Sequence, residues 1–271
     1  MEKRTFEGTD GLKLNLLDHG GAGRPPLLFV HGGSAHAHWW DFVAPSFADR
    51  FHALALDQRG HGDSPWTRQW AYGTRHYVAD LAALIAGWDF GPPILIGHSM
   101  GGHNVMYFAG VNSHMLRAAA MIDSPSTYPA FAVHHLRGFA ERPSRRYDSL
   151  EEACAKFRTL PGETTAMPAV LHHVAVHSFR QGDDHKWDYK TDRRTMLREP
   201  LDAWPGLAEI RCPALFVKPD HSVLDGDYVR KMVGKMPHGS LAEVRDSHHH
   251  VMLDNPRGLV AALDQFVAQF E

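Results

Sequence analysis

The sequence predicts an α/β fold: a mostly parallel, doubly wound sheet with one helical insertion. Three observations carry this. Short continuous apolar runs recur at 25–30, 51–56, 94–96, 118–122 and 214–218, uniform rather than alternating, as in strands covered on both faces. Segments with helical apolar spacing lie between several of them, so strand and helix alternate through short loops. That rhythm stops at residue 126 and resumes after 205, and a stretch so long is not a plain loop.

In chain order, residues 4–7 and 13–17 flank Gly8-Thr9-Asp10-Gly11, a hairpin turn. The run at 25–30 ends in His31-Gly32-Gly33-Ser34. The run at 51–56 ends in Asp57-Gln58-Arg59-Gly60-His61-Gly62-Asp63-Ser64, a loop expected to turn tightly and anchor itself by hydrogen bonds. Residues 77–88 place Tyr77, Val78, Leu81, Leu84, Ile85 and Trp88 at helical spacing. The strand at 94–96 runs into Gly97-His98-Ser99-Met100-Gly101, followed by a helix over 102–109. The strand at 118–122 closes in Asp123-Ser124-Pro125. Residues 126–205 are rich in His, Arg, aromatics and Pro; helix-like pieces lie near 131–139, 149–157 and 167–179, with no clear strand. A strand at 214–218, a helix at 227–236, a strand at 240–245 and a helix at 256–270 complete the chain. The expected division is a core of 1–125 and 206–271, with 126–205 as a helical cap over the sheet edge.

Composition narrows the function. The 271 residues are 44% hydrophobic, enough for one substantial core. A formal net charge of −3 argues against nucleic acid or an anionic membrane surface as partner. The first seven residues contain no apolar run after their charges, and no segment approaches membrane-spanning length, so a soluble, cytoplasmic protein is expected. Cys154 and Cys212 are far apart and fit buried thiols in a reducing compartment. Among 21 histidines, His173 and His177 share a helix face as a possible metal pair. No third ligand stands beside them at convincing spacing, and no metal or other cofactor is expected.

The chemistry centres on Gly97-His98-Ser99-Met100-Gly101. A G-x-S-x-G pattern is weak alone, but here it stands between strand and helix, the context it needs. Such a turn strains the serine backbone and lifts its hydroxyl out of the sheet at a helix N-terminus. In a parallel sheet, reactive groups gather at the carboxyl ends of strands. His31, Asp57, Ser99, Asp123, Asp220 and His249 all follow strand ends.

Five motifs in this order make the chain resemble the α/β-hydrolase superfamily along essentially its whole length. They are His31-Gly32-Gly33, Asp57 to Ser64, the Ser99 pentapeptide, Cys212-Pro213-Ala214-Leu215-Phe216-Val217 before Asp220, and His248-His249-His250 leading to Asn255-Pro256. The resemblance implies a serine hydrolase acting on carboxylic esters, lactones or thioesters, with Ser99 as nucleophile. The base is expected at His249, seven residues before Pro256; His248 is the alternative. The acid is expected at Asp220, after the 214–218 strand; Asp123 is its rival and Asp225 a weaker option. The oxyanion hole is assigned to the N–H groups of Gly33 and Met100. Ser34, His98, Trp39 and Trp40 are expected to contact substrate, although His98 and one of the tryptophans fit equally as core. The partner is then a small ester-type molecule, on a monomer or homodimer. The same machinery also serves cofactor-free haloperoxidase or perhydrolase chemistry and carbon–carbon bond hydrolysis. A reading of another class is a ligand-sensing homologue with little turnover.

Overall fold

The structure, a computed structural model, describes residues 1–88, 91–197 and 199–270. Its strands are β1 (Glu2–Glu7), β2 (Lys13–Asp18), β3 (Pro26–Val30), β4 (His52–Leu56), β5 (Ile94–His98), β6 (Ala118–Ile122), β9 (Ala214–Pro219) and β10 (Gly239–Val244) in one sheet, with β7 (Phe179–Gln181) and β8 (Trp187–Tyr189) as a separate hairpin. The large sheet runs in the order β1-β2-β4-β3-β5-β6-β9-β10. Only the β1–β2 and β2–β4 pairs are antiparallel; β4, β3, β5, β6, β9 and β10 are mutually parallel.

The uniform apolar runs are explained by two cores, one on each face. Within β3, Leu27 and Phe29 enter one core with Trp40 and Phe47, and with Leu259 and Leu263 from α8 (Pro256–Val267). Leu28 and Val30 enter the other core. There they meet Leu81 and Leu84 of α1 (Thr74–Ala86), Val105 and Phe108 of α2 (Met100–Asn112), and Met232 of α6 (Gly226–Lys235). A strand buried on both faces needs no polar alternation, and β3, β4, β5 and β6 have every residue buried.

Between β6 and β9 the chain leaves the sheet and forms α3 (Ala130–Ala140), α4 (Leu150–Lys156), α5 (Pro168–Ser178) and the β7–β8 hairpin. The hairpin departs from the all-helical expectation for this segment. Its strands are three residues each, too short to show a period of two, and Phe179 on Tyr189 holds them at 4.4 Å between ring centroids. A short helix, α7 (Val251–Asp254), precedes α8. No described helix is long and apolar enough to cross a membrane.

Candidate active site

Ser99 joins β5 to α2 with φ 51° and ψ −116°, a conformation that costs a non-glycine residue on the order of 1–3 kcal/mol. The flanking glycines permit the turn through close approach. A Cβ on Gly97 would come within 2.5 Å of the Gly101 carbonyl, and one on Gly101 within 2.3 Å of the Val30 carbonyl. The sharp turn exposes the Ser99 hydroxyl beside the first turn of α2, whose N–H groups have no intrahelical partners.

From the C-terminal side, the loop after β10 brings His249 to this serine. Its Nε2 lies 2.9 Å from Ser99 Oγ, and its Nδ1 lies 2.7 Å from Asp123 Oδ2. A carboxylate only accepts, so Nδ1 carries the proton and the Nε2 lone pair faces the hydroxyl. Asp123 follows β6, is fully buried, and has φ 43°. Ser222 donates its hydroxyl to the other carboxylate oxygen, Oδ1, at 2.5 Å.

Asp220, the acid expected from sequence, is not the partner of His249. Its Oδ1 accepts the Ser247 N–H at 3.0 Å and its Oδ2 the Asp246 N–H at 2.9 Å. The Ser247 N–H, joined by that of Asp246, holds this carboxyl below the ordinary aspartate range. Asp220 therefore shapes the loop that carries His249. Asp225 accepts the Tyr228 N–H as the N-cap of α6.

His249 is flanked by neighbours with other work. The His248 N–H donates to Asp254, and its ring stacks on His221 at 4.7 Å. His250 lies 3.0 Å from the Pro161 carbonyl through Nε2, and burial pushes its pKa down to about 3, so its ring is neutral and donates that proton. His98 is also buried, which holds it well below its ordinary value. Its Nε2–H donates to the His249 carbonyl at 2.8 Å. It supports the backbone of His249, and the expectation that it contacts substrate is corrected.

Gly33, Ser34, Met100, Ser99 and His249 line one cavity of about 700 Å³. Its walls are mainly apolar and include Leu136, Leu160, Met196 and Leu224, with Phe131 and Val223 at the mouth, 76% and 57% exposed. The loop bearing Gly33 is held firmly. His31 Nε2 accepts the Gln58 N–H at 3.0 Å, Gln58 Nε2 donates to the His31 carbonyl at 2.7 Å, and Asn104 donates to Gln58 Oε1 at 2.8 Å. The anchoring by hydrogen bonds expected of the 57–64 loop is present at Gln58, whereas Asn104 lies within α2, where nothing in its spacing marks it as a brace.

Residues 27–263 match the model of the alpha/beta hydrolase family. The chain belongs to that family. It is 24% identical over 250 residues to esterase Rv0045c of Mycobacterium tuberculosis, covering 89% of this chain and 82% of that one. It is 25% identical over 263 residues to 2-(acetamidomethylene)succinate hydrolase of Mesorhizobium japonicum, covering 94% and 92%. The crystal structure of E-2-(acetamidomethylene)succinate hydrolase superposes with a TM-score of 0.85 at 22% identity, covering 98% of this chain and 99% of that one.

The two tryptophans of this hydrolase part company. Trp40 is fully buried 5.0 Å from Phe29 and is core, which corrects its assignment to substrate. Trp39 lines a second chamber of about 260 Å³, which shares Gly33, Ser34, Leu160 and Met196 with the first. Arg158 and Arg193 also line it. Arg158 donates to the Ala155 and Phe157 carbonyls and Arg193 to the Pro143 and Phe139 carbonyls, and neither takes a carboxylate partner among the described residues.

Proposed function

We propose that this alpha/beta hydrolase is a serine hydrolase cleaving carboxylic esters, or the related lactones and thioesters, through an acyl-enzyme on Ser99. The continuous path from Asp123 through His249 to Ser99, 2.7 and 2.9 Å per step, carries this reading. A serine hydroxyl becomes nucleophilic when a base takes its proton as the carbonyl is attacked. His249 Nε2 faces that proton, and Asp123 stabilises the imidazolium that forms. The N–H groups of Gly33 and Met100 are assigned to the oxyanion, a role in which one donor typically contributes about 10²–10³ in rate. His249 then protonates the leaving alcohol, and water clears the acyl group by the same route. Residues 126–205 serve as a cap, supplying Leu136, Leu160 and Met196 to the cavity. The apolar walls favour an acyl or alcohol group of moderate size.

The test is labelling with a fluorophosphonate, followed by a chain-length series of p-nitrophenyl esters. Native protein is expected to label and turn over; Ser99→Ala is expected to do neither. Labelling that persists in Ser99→Ala rules the assignment out.

One observation favours a narrower substrate. Arg158 and Arg193 stand unpaired by carboxylates in the chamber beside the serine, and the relative from Mesorhizobium japonicum is named for a succinate derivative. A carboxylate-bearing acyl group fits both. Half-esters of dicarboxylic acids are then expected to be cleaved with lower KM than the neutral diesters, an advantage lost in Arg193→Gln.

A further inference from the structure

Away from the serine, a second cluster forms where α5 meets the turn after β3. His38 and Asp41 come from that turn; His173 and His177 lie one helical turn apart on α5. Asp41 Oδ2 accepts from His38 Nδ1 at 2.9 Å and from His173 Nε2 at 2.7 Å. The His177 ring stacks on His38 at 3.6 Å between centroids. One potential ligand atom from each of the four residues lies within 4.8 Å of all the others. The second oxygen of Asp41, Oδ1, is buried and takes no hydrogen bond among the described residues. It faces His19 Nε2, equally buried and unbonded, at 3.8 Å. None of these five residues lines either chamber of the proposed hydrolytic site.

We propose that His38, Asp41, His173 and His177 bind one divalent transition-metal ion, with His19 facing the carboxylate from behind. Three imidazoles and a carboxylate suit zinc and its neighbours rather than calcium or magnesium, which take oxygen ligands. Zinc at about 2.0–2.2 Å from four donors sets them roughly 3.4 Å apart. The present spread closes when His177 turns out of its stack so that a ring nitrogen, rather than the ring face, points inward. The hydrogens now directed at Asp41 sit on His38 Nδ1 and His173 Nε2. To bind the ion, each ring must give up the proton on the nitrogen that faces Asp41, to solvent or to its other nitrogen, so that both lone pairs face the metal. The sequence left His173 and His177 without further ligands because His38 and Asp41 lie more than a hundred residues earlier. The ion would join α5 of the insertion to the turn that carries Trp39.

The experiment titrates chelator-treated full-length protein with zinc chloride by calorimetry, beside thermal melts. One zinc per chain is expected, with a rise in Tm. The double variant His173→Gln/His177→Gln is expected to bind at least about 100-fold more weakly and to lose the Tm rise, since changing even a residue that only supports a ligand typically costs about 10–100-fold. His249→Gln and His134→Gln/His135→Gln are expected to bind as the native chain does, which separates this site from the histidines around Ser99. Equal zinc binding by the double variant, loss of binding in His249→Gln, or no stoichiometric binding by native protein overturns the proposal. Should the double variant not fold, His177→Gln alone and the cobalt spectrum decide. Intense visible bands of four-coordinate cobalt, lost in His177→Gln, support the site, and a six-coordinate spectrum overturns it. No outcome depends on ester turnover.

Discussion

At the scale of single residues, the choice between two aspartates decides the proposed chemistry. Asp123 meets His249 Nδ1, whereas Asp220 is occupied by the Ser247 and Asp246 N–H groups. Asp123→Asn is therefore expected to lower kcat by on the order of 10³–10⁴, because the amide favours the wrong imidazole tautomer. Asp220→Asn is expected to act through loop position and to cost far less. Steady-state rates of the two purified variants on one ester check this, and a greater loss in Asp220→Asn reverses the assignment. Gly97→Ala tests the turn, since its Cβ would press on the Gly101 carbonyl. Its expected signature is lost stability in a urea melt together with lost activity.

Much of this site was legible in the sequence. The strand–turn–helix context of Ser99 and the distance from His249 to Pro256 placed two of the three linked groups. The third was ambiguous for a physical reason. Asp123 and Asp220 end neighbouring parallel strands, β6 and β9, so both arrive at the same rim. Which one turns toward the imidazole depends on the left-handed backbone of Asp123, and no residue type signals that in an aspartate. Tryptophans 39 and 40 were inseparable for a similar reason: adjacent side chains diverge, one to a chamber and one to the core.

At the scale of elements, the segment between β6 and β9 is uneven. Helix α3 has no buried residue, although His134, His135 and Leu136 border the cavity. Helix α5 buries Val170, Val174, Ala175 and Ser178. Local opening free energy follows buried apolar contact, so amide exchange in α3 is expected to be faster than in α5 and far faster than in α2. Exchange mass spectrometry checks the order, and protection of α3 equal to that of α2 contradicts it. The helices of this segment were visible as apolar spacing, whereas β7 and β8 were not, since three residues give too little pattern.

Across the whole molecule, buried and half-buried histidines tie stability to acidity. Burial pushes His250 down to about 3 and His177 down to about 4, and holds His98 well below its ordinary value. In the folded state these rings stay neutral, while in the unfolded chain they take up protons below about pH 6.5. The unfolded state then binds more protons, so stability is lost as pH falls from about 6.5 toward 4, by up to about 1.4 kcal/mol per pH unit for each fully buried ring. Urea midpoints are expected to be level above about pH 7 and to fall below 6.5, with a shallower fall in His250→Gln. Midpoints unchanged down to about pH 5 exclude this linkage.

The greasy lip formed by Phe131 and Val223 at the cavity mouth has a practical corollary for anyone assaying the purified material. Detergent monomers and fatty acids are expected to compete there with an added ester, which turnover measured with and without sub-micellar detergent checks. Apparent substrate affinities should therefore sharpen after delipidation.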